Sequence, residues 1–131
     1  MKHCFKLNKL IRDQLYQNML DEGVVVHSKE LTPQDCVMLL KEKLVEEAQE
    51  VLEETSKEEL IVELADVLEV ISSLAKYIEV PMEEIKLARQ AKRDRAGGFD
   101  QCSFVSHIEV PEGHRLVEYC RRDPKKYPEK K

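Results

Sequence analysis

The chain lacks several features that would assign it quickly. None of its four cysteines (Cys4, Cys36, Cys102 and Cys120) forms a CxxC pair, and no histidine stands at metal-finger spacing. That excludes a zinc-finger module and a CxxC redox centre. No apolar run approaches the length of a membrane span, and no hydrophobic signal segment opens the chain. The expected setting is therefore the reduced cytoplasm, away from membranes, with the cysteines as free thiols filling gaps in the core. There is no tryptophan and no nucleic-acid recognition motif. With an acidic centre, the chain is not expected to bind a nucleic-acid polymer.

What is present points to helices. A length of 131 residues suits one domain with its own core. Residues 1–120 are expected to form that domain, and residues 121–131 a basic, flexible tail. Charge is unevenly distributed within the net −5. Residues 41–69 hold 11 acids and 3 bases, net −8, whereas residues 85–96 hold 5 bases and 1 acid, net +4. An acidic centre beside a basic segment suggests a cation site with an anion site.

Apolar spacing predicts a first helix over 7–22, with Asn8 as cap and Gly23 as stop. Val24-Val25-Val26-His27 is a short strand or an extended connector. Thr32-Pro33-Gln34-Asp35 opens a second helix that runs to about Glu54, with the stripe Val37, Leu40, Leu44, Ala48 and Val51. Ser56 and Glu59 form an S-x-x-E capping box for a third, with the stripe Leu60, Leu64, Val67, Ile71, Leu74 and Ile78. So short a connection predicts an antiparallel helix hairpin. Pro81 opens a fourth helix that Gly97-Gly98 ends. The alternation of 104–110, the turn 111–114 and the run 116–120 predict a β-hairpin. The expected fold is all-α: an antiparallel bundle of four main helices carrying a small C-terminal β-hairpin.

The second and third helices nearly repeat one another. Leu44-Val45-Glu46-Glu47-Ala48-Gln49-Glu50-Val51-Leu52-Glu53 aligns with Leu60-Ile61-Val62-Glu63-Leu64-Ala65-Asp66-Val67-Leu68-Glu69. At ~100° per residue from Leu44, Glu47 lies about 60° and Glu50 about 120° to one side of the apolar stripe. Counted from Leu60, Glu63 and Asp66 fall at the same offsets on the same side. Packing the two seams together antiparallel brings both acidic edges to one rim. Apolar neighbours around Glu63 imply partial burial, and four adjacent carboxylates repel unless a cation joins them. Oxygen-only ligands suit Mg²⁺ or Mn²⁺. Glu46 points about 200° from the stripe and reaches such a site only if another element covers that face. Val45, Leu52, Ile61 and Leu68 leave a second apolar side, which a homodimer or higher homo-oligomer would bury.

The pattern Glu46-Glu47-x-x-Glu50, twelve residues, Glu63-x-x-Asp66 resembles the signature of the all-α nucleoside triphosphate pyrophosphatases, the MazG-like proteins and phosphoribosyl-ATP pyrophosphohydrolase. Lys6-Leu7-Asn8-Lys9-Leu10-Ile11-Arg12-Asp13 is similar to the K-L-V-R-D-K opening of one subgroup, and Lys92-Arg93-Asp94-Arg95-Ala96-Gly97-Gly98-Phe99 to its basic segment ending R-G-G-F. The chain departs at Gln90, where MazG-like members often have Asn, and at Ala96, where Arg is typical. The resemblance implies Mg²⁺-dependent attack of water on the α–β linkage of a nucleotide polyphosphate, giving a monophosphate and pyrophosphate. It implies Glu47, Glu50, Glu63 and Asp66 as metal ligands, Glu46 and Glu47 as catalytic, with Glu46 either activating water or supporting the ligands from behind, and Lys92, Arg95, Arg12 and Lys9 as phosphate-binding. Any base must stack on Phe or Tyr, with Phe5, Tyr16 and Phe99 as candidates, or on a partner subunit. The alternatives are phosphoribosyl-ATP hydrolysis and a non-catalytic helical dimerisation or regulatory module.

Overall fold

The computed structural model describes residues 1–130. They form five helices in the order α1 (Asp13–Asp21), α2 (Pro33–Glu53), α3 (Lys57–Tyr77), α4 (Met82–Ala96) and α5 (Arg115–Arg121). Among the described residues there is no strand, and no helix is long and apolar enough to cross a membrane. Backbone contacts divide the chain into two compact units, Met1–Arg95 and Ala96–Lys131.

The first unit is built on the α2–α3 hairpin, the one extensively packed pair of helices among the described residues. Both of its helices start where local chemistry dictates. The Thr32 side chain accepts from the Asp35 backbone N–H, the Asp35 carboxylate accepts from the Thr32 N–H, and Pro33 occupies the first helical turn. Ser56 accepts from the Glu59 N–H at 3.1 Å. Three residues then separate the helices, which forces them antiparallel. The third helix closes with the Val80 N–H on the Ala75 carbonyl and the Glu79 N–H on the Lys76 carbonyl. That closure puts Glu79 at φ 60°, a left-handed conformation that glycine adopts without strain. Glu79→Gly should stabilise the fold by about 0.5–1 kcal/mol, read as a higher urea midpoint with an unchanged slope. A lower midpoint would contradict this.

Burial is shallow. Leu40, Val70 and Ala75 are the buried apolar residues, and Glu47 is the buried charged one. Along α2, Val37, Leu44 and Val51 of the expected seam are half-buried, but Ala48 is exposed. Along α3, Leu60, Val67, Ile71 and Leu74 are half-buried, while Leu64 and Ile78 are exposed. The hairpin therefore buries a narrow strip and leaves a wide apolar shoulder. The four-helix bundle expected from the sequence is not assembled in one chain, because α1 and α4 do not pack extensively on this hairpin. On α4 only Met82 and Ile85 are even half-buried.

Three further expectations are corrected. The first helix starts at Asp13, not Leu7, because Asn8 sits at φ 47° and Arg12 is extended at ψ 140°. Asn8 is thus a break, whereas Gly23, at φ 80°, ends α1 as expected. The C-terminal β-hairpin is absent. Residues 104–110 form no strand and no ladder, and 116–120 lie in α5. There His114 accepts from the Leu116 N–H at 3.1 Å and starts a helical turn. The cysteines are free, but Cys4 and Cys102 are exposed, and only Cys36 and Cys120 are half-buried. Within the second unit, the segment after α5 returns to it. Arg121 donates to both Glu129 carboxylate oxygens, at 2.7 and 3.1 Å, and Tyr127 lies against Tyr119.

Candidate metal centre

The two near-repeats of α2 and α3 meet as the helical wheel requires. Glu47 and Glu50 from α2 and Glu63 and Asp66 from α3 each place one carboxylate oxygen so that the four lie within 4.8 Å of one another. Glu47 is only 6% exposed, and the other three are half-buried. Oε2 of Glu47 and Oε2 of Glu63 are fully covered, with no hydrogen-bond partner. A buried carboxylate oxygen without a donor is costly, and the neighbouring carboxylates compound the cost by repulsion. Burial first, and then the adjacent Glu50 carboxyl, hold the Glu47 acid above its ordinary range, with Lys43 pulling the other way. The Glu47–Glu50 contact is a hydrogen bond only while one of the two carries a proton. With both ionised, Glu47 has Lys43 on Oε1 and nothing on Oε2. A cation between the helices removes both defects, and the oxygen-only donor set fits a hard divalent ion. The group is able to hold a metal ion.

Two cations reach this cluster. Lys43, one turn before Glu47 on α2, places Nζ 3.4 Å from Glu46 and 3.5 Å from Glu47. Nothing in the sequence reading singled out Lys43, although its i,i+3 and i,i+4 spacing to the two acids was there to be seen. Arg12 donates from Nη2 to Asp66 Oδ1 at 2.7 Å across a separation of 54 residues. Just before it, Asn8, Lys9 and Leu10 line a small cleft with Leu39, Lys43 and Glu46 of α2. The non-helical segment 8–12 is therefore a strap that touches α2 at one end and α3 at the other. It supplies the cover over the Glu46 face, and Glu46 is half-buried. Arg12 is brought to the cluster, and Lys9 to the cleft beside Glu46. Lys92 and Arg95 are exposed on α4, and among the described residues no hydrogen bond or ion pair joins either to the four acids.

Comparison with protein-family models, curated proteins and solved structures finds no match to this chain.

Repulsion extends to the hairpin turn. There Glu54 is pushed up to about 6, first by a hydrogen bond with Glu59, with Glu63 and Glu50 adding to it. For an acid whose folded pKa lies above its unfolded value of 4.5, the folded state holds the proton more tightly. The associated stability is fully present below pH 4.5 and is lost as pH rises through the folded value. The metal-free protein should therefore melt at a higher temperature near pH 5 than at pH 7, with most of the fall by pH ~6.5. Calorimetry in chelator from pH 4.5 to 7.5 tests this, and a melting temperature that climbs across that window contradicts it.

Proposed function

We propose that this chain is a Mg²⁺-dependent nucleotide pyrophosphohydrolase, with Mn²⁺ as a working substitute, that cleaves the α–β linkage of a nucleoside triphosphate. The observation that carries this reading is the convergence of four carboxylates from two helices, two of whose oxygens are buried without a donor. The fit of the residues to the EExxE and ExxD pattern supports it from the sequence side. A divalent ion bound there neutralises polyphosphate charge and makes water a better nucleophile.

The chain's own groups take the remaining roles. Glu47, Glu50, Glu63 and Asp66 hold the ion. Lys43 fixes the headgroups of Glu46 and Glu47, so their carboxylates keep one orientation. Glu46, under the strap, accepts the proton from the attacking water. Oxygen from that water bonds to the α-phosphorus, the bridging P–O bond breaks, and pyrophosphate leaves. Lys9 and Arg12 meet phosphate from the strap side, and Lys92 and Arg95 balance the charge of the leaving pyrophosphate.

The active form in this reading is a cytoplasmic homodimer. The shoulder that the hairpin leaves open carries Val45 at 70%, Leu52 at 77% and Leu68 at 62% exposure, with Met38 and Ile61 also exposed. Met38, Val45 and Leu52 recur every seven residues on one line of α2, the repeat of helix-to-helix seams. Two hairpins meeting shoulder to shoulder complete a four-helix bundle and leave each acidic rim facing outward.

A panel of common and modified nucleoside triphosphates, with phosphoribosyl-ATP alongside, assayed for pyrophosphate release in Mg²⁺, is the test. The expected result is release from at least one triphosphate, lost in Asp66→Asn. Release from phosphoribosyl-ATP alone would move the reading to histidine synthesis. Pyrophosphate from no compound, with intact metal binding, would leave a non-catalytic module.

A further inference from the structure

Arg12 has two demands on it that cannot be met together. Its guanidinium lies 2.7 Å from Asp66 Oδ1, so it is the counter-ion of one of the four carboxylates proposed to hold metal. It also stands on the strap three residues after Lys9, which lines the cleft beside Glu46, the side on which the proposed reaction places phosphate. Lys43 does not share this conflict. It is on the same helix as its partners, is 20% exposed, and spans Glu46 and Glu47, leaving Glu47 Oε2 free for an ion. Arg12 is 56% exposed, comes from a non-helical segment, and grips a carboxylate that is itself 29% exposed. A divalent ion among the four acids places two further positive charges beside that guanidinium. Repulsion between them, and competition for Asp66, then oppose the Arg12–Asp66 pair. A guanidinium released from a carboxylate finds in phosphate an acceptor of matching two-pronged geometry.

We infer that Arg12 is an exchangeable counter-ion: it holds Asp66 while the site lacks metal, gives up Asp66 when a divalent cation enters, and turns to the phosphate oxyanions that accompany the cation. The inference rests on the metal-centre reading above. It makes metal and phosphate binding cooperative through one side chain, because each removes what would otherwise hold Arg12 in the wrong place. It also accounts for the otherwise unexplained approach of a cation to a site built for one.

The competing role for Arg12 is a fixed brace that orients Asp66, and the two roles differ in sign. Mn²⁺ binding is followed by electron paramagnetic resonance, and binding of inorganic pyrophosphate in Mg²⁺ by equilibrium dialysis, for the wild type, Arg12→Gln, Arg12→Lys and Glu47→Gln. Neither readout depends on turnover. For Arg12→Gln the expected result is Mn²⁺ affinity raised about fivefold and pyrophosphate affinity lowered about tenfold. Arg12→Lys, which keeps the charge and loses the fork, should leave Mn²⁺ affinity near wild type and weaken pyrophosphate. Unchanged or weaker Mn²⁺ binding in Arg12→Gln overturns the exchange, as does unchanged pyrophosphate binding. If the wild type itself fails to bind Mn²⁺, or Glu47→Gln binds it equally well, the metal centre is what fails. Circular dichroism of each variant confirms that the exposed position has not disturbed folding.

Discussion

Glu47→Gln should abolish metal binding and, in chelator, raise the melting temperature. The two effects have opposite signs because one side chain is responsible for both. Glu47 is the buried acid of the chain, its Oε2 lacks any donor, and burial first, then its neighbours Glu50 and Asp66, push its pKa up. An amide of the same shape removes one negative charge from the cluster and brings an N–H₂ that a neighbouring carboxylate can accept from. Relief of repulsion and of the unsatisfied oxygen should amount to about 1–2 kcal/mol, or roughly 3–8 °C for a chain of this size. The same change removes an anionic ligand, and Mn²⁺ affinity should fall by at least about 100-fold, since even outer-shell losses reach that range. Calorimetry in chelator and Mn²⁺ titration read the two quantities separately. A variant that melts lower and still binds Mn²⁺ would show that Glu47 is a structural acid satisfied in some other way.

Leu68→Glu should turn the proposed homodimer into a poorly stable monomer. Within one chain the substitution is nearly harmless: Leu68 is 62% exposed, and exposed positions usually shift stability by no more than about 0.5 kcal/mol. Across a two-fold interface the same residue appears twice, and each copy buries a charge without a partner. The expected outcome is a halved mass in solution at ten-micromolar concentration and a melting temperature lower by about 10 °C or more, with Leu52→Glu behaving alike. Sedimentation and calorimetry decide it. If Leu68→Glu sediments and melts as the wild type does, the shoulder is not where copies of this chain meet.

Caps and periodicity carry the part of this protein that could be read in advance. Thr32, Pro33 and Asp35 start α2 and Ser56 starts α3 through contacts made within four residues, so no distant part of the chain can overrule them. The shared offset of Glu47, Glu50, Glu63 and Asp66 from their apolar seams is likewise an angle about a helix axis, fixed once the helix forms. The failures have the opposite character. Residues 7–12 have helical apolar spacing, yet the strap follows from the left-handed turn at Asn8 and from Arg12 reaching Asp66. Residues 116–120 fit either period over so short a run, and a cap from His114 with no available partner strand selects the helix.

By itself, then, the sequence determined that α2 and α3 form a hairpin and that four acids share one of its rims, because both follow from spacing along the chain. Tertiary structure alone decided which acid is deepest, which oxygens are left without donors, and which cations stand against them. Those are distances between residues up to 54 positions apart, and the helical pattern, which marked partial burial at Glu63, does not show that Glu47 lies deepest. The demand for a cation comes from Glu47 Oε2 and Glu63 Oε2, both buried with no proton donor to meet them.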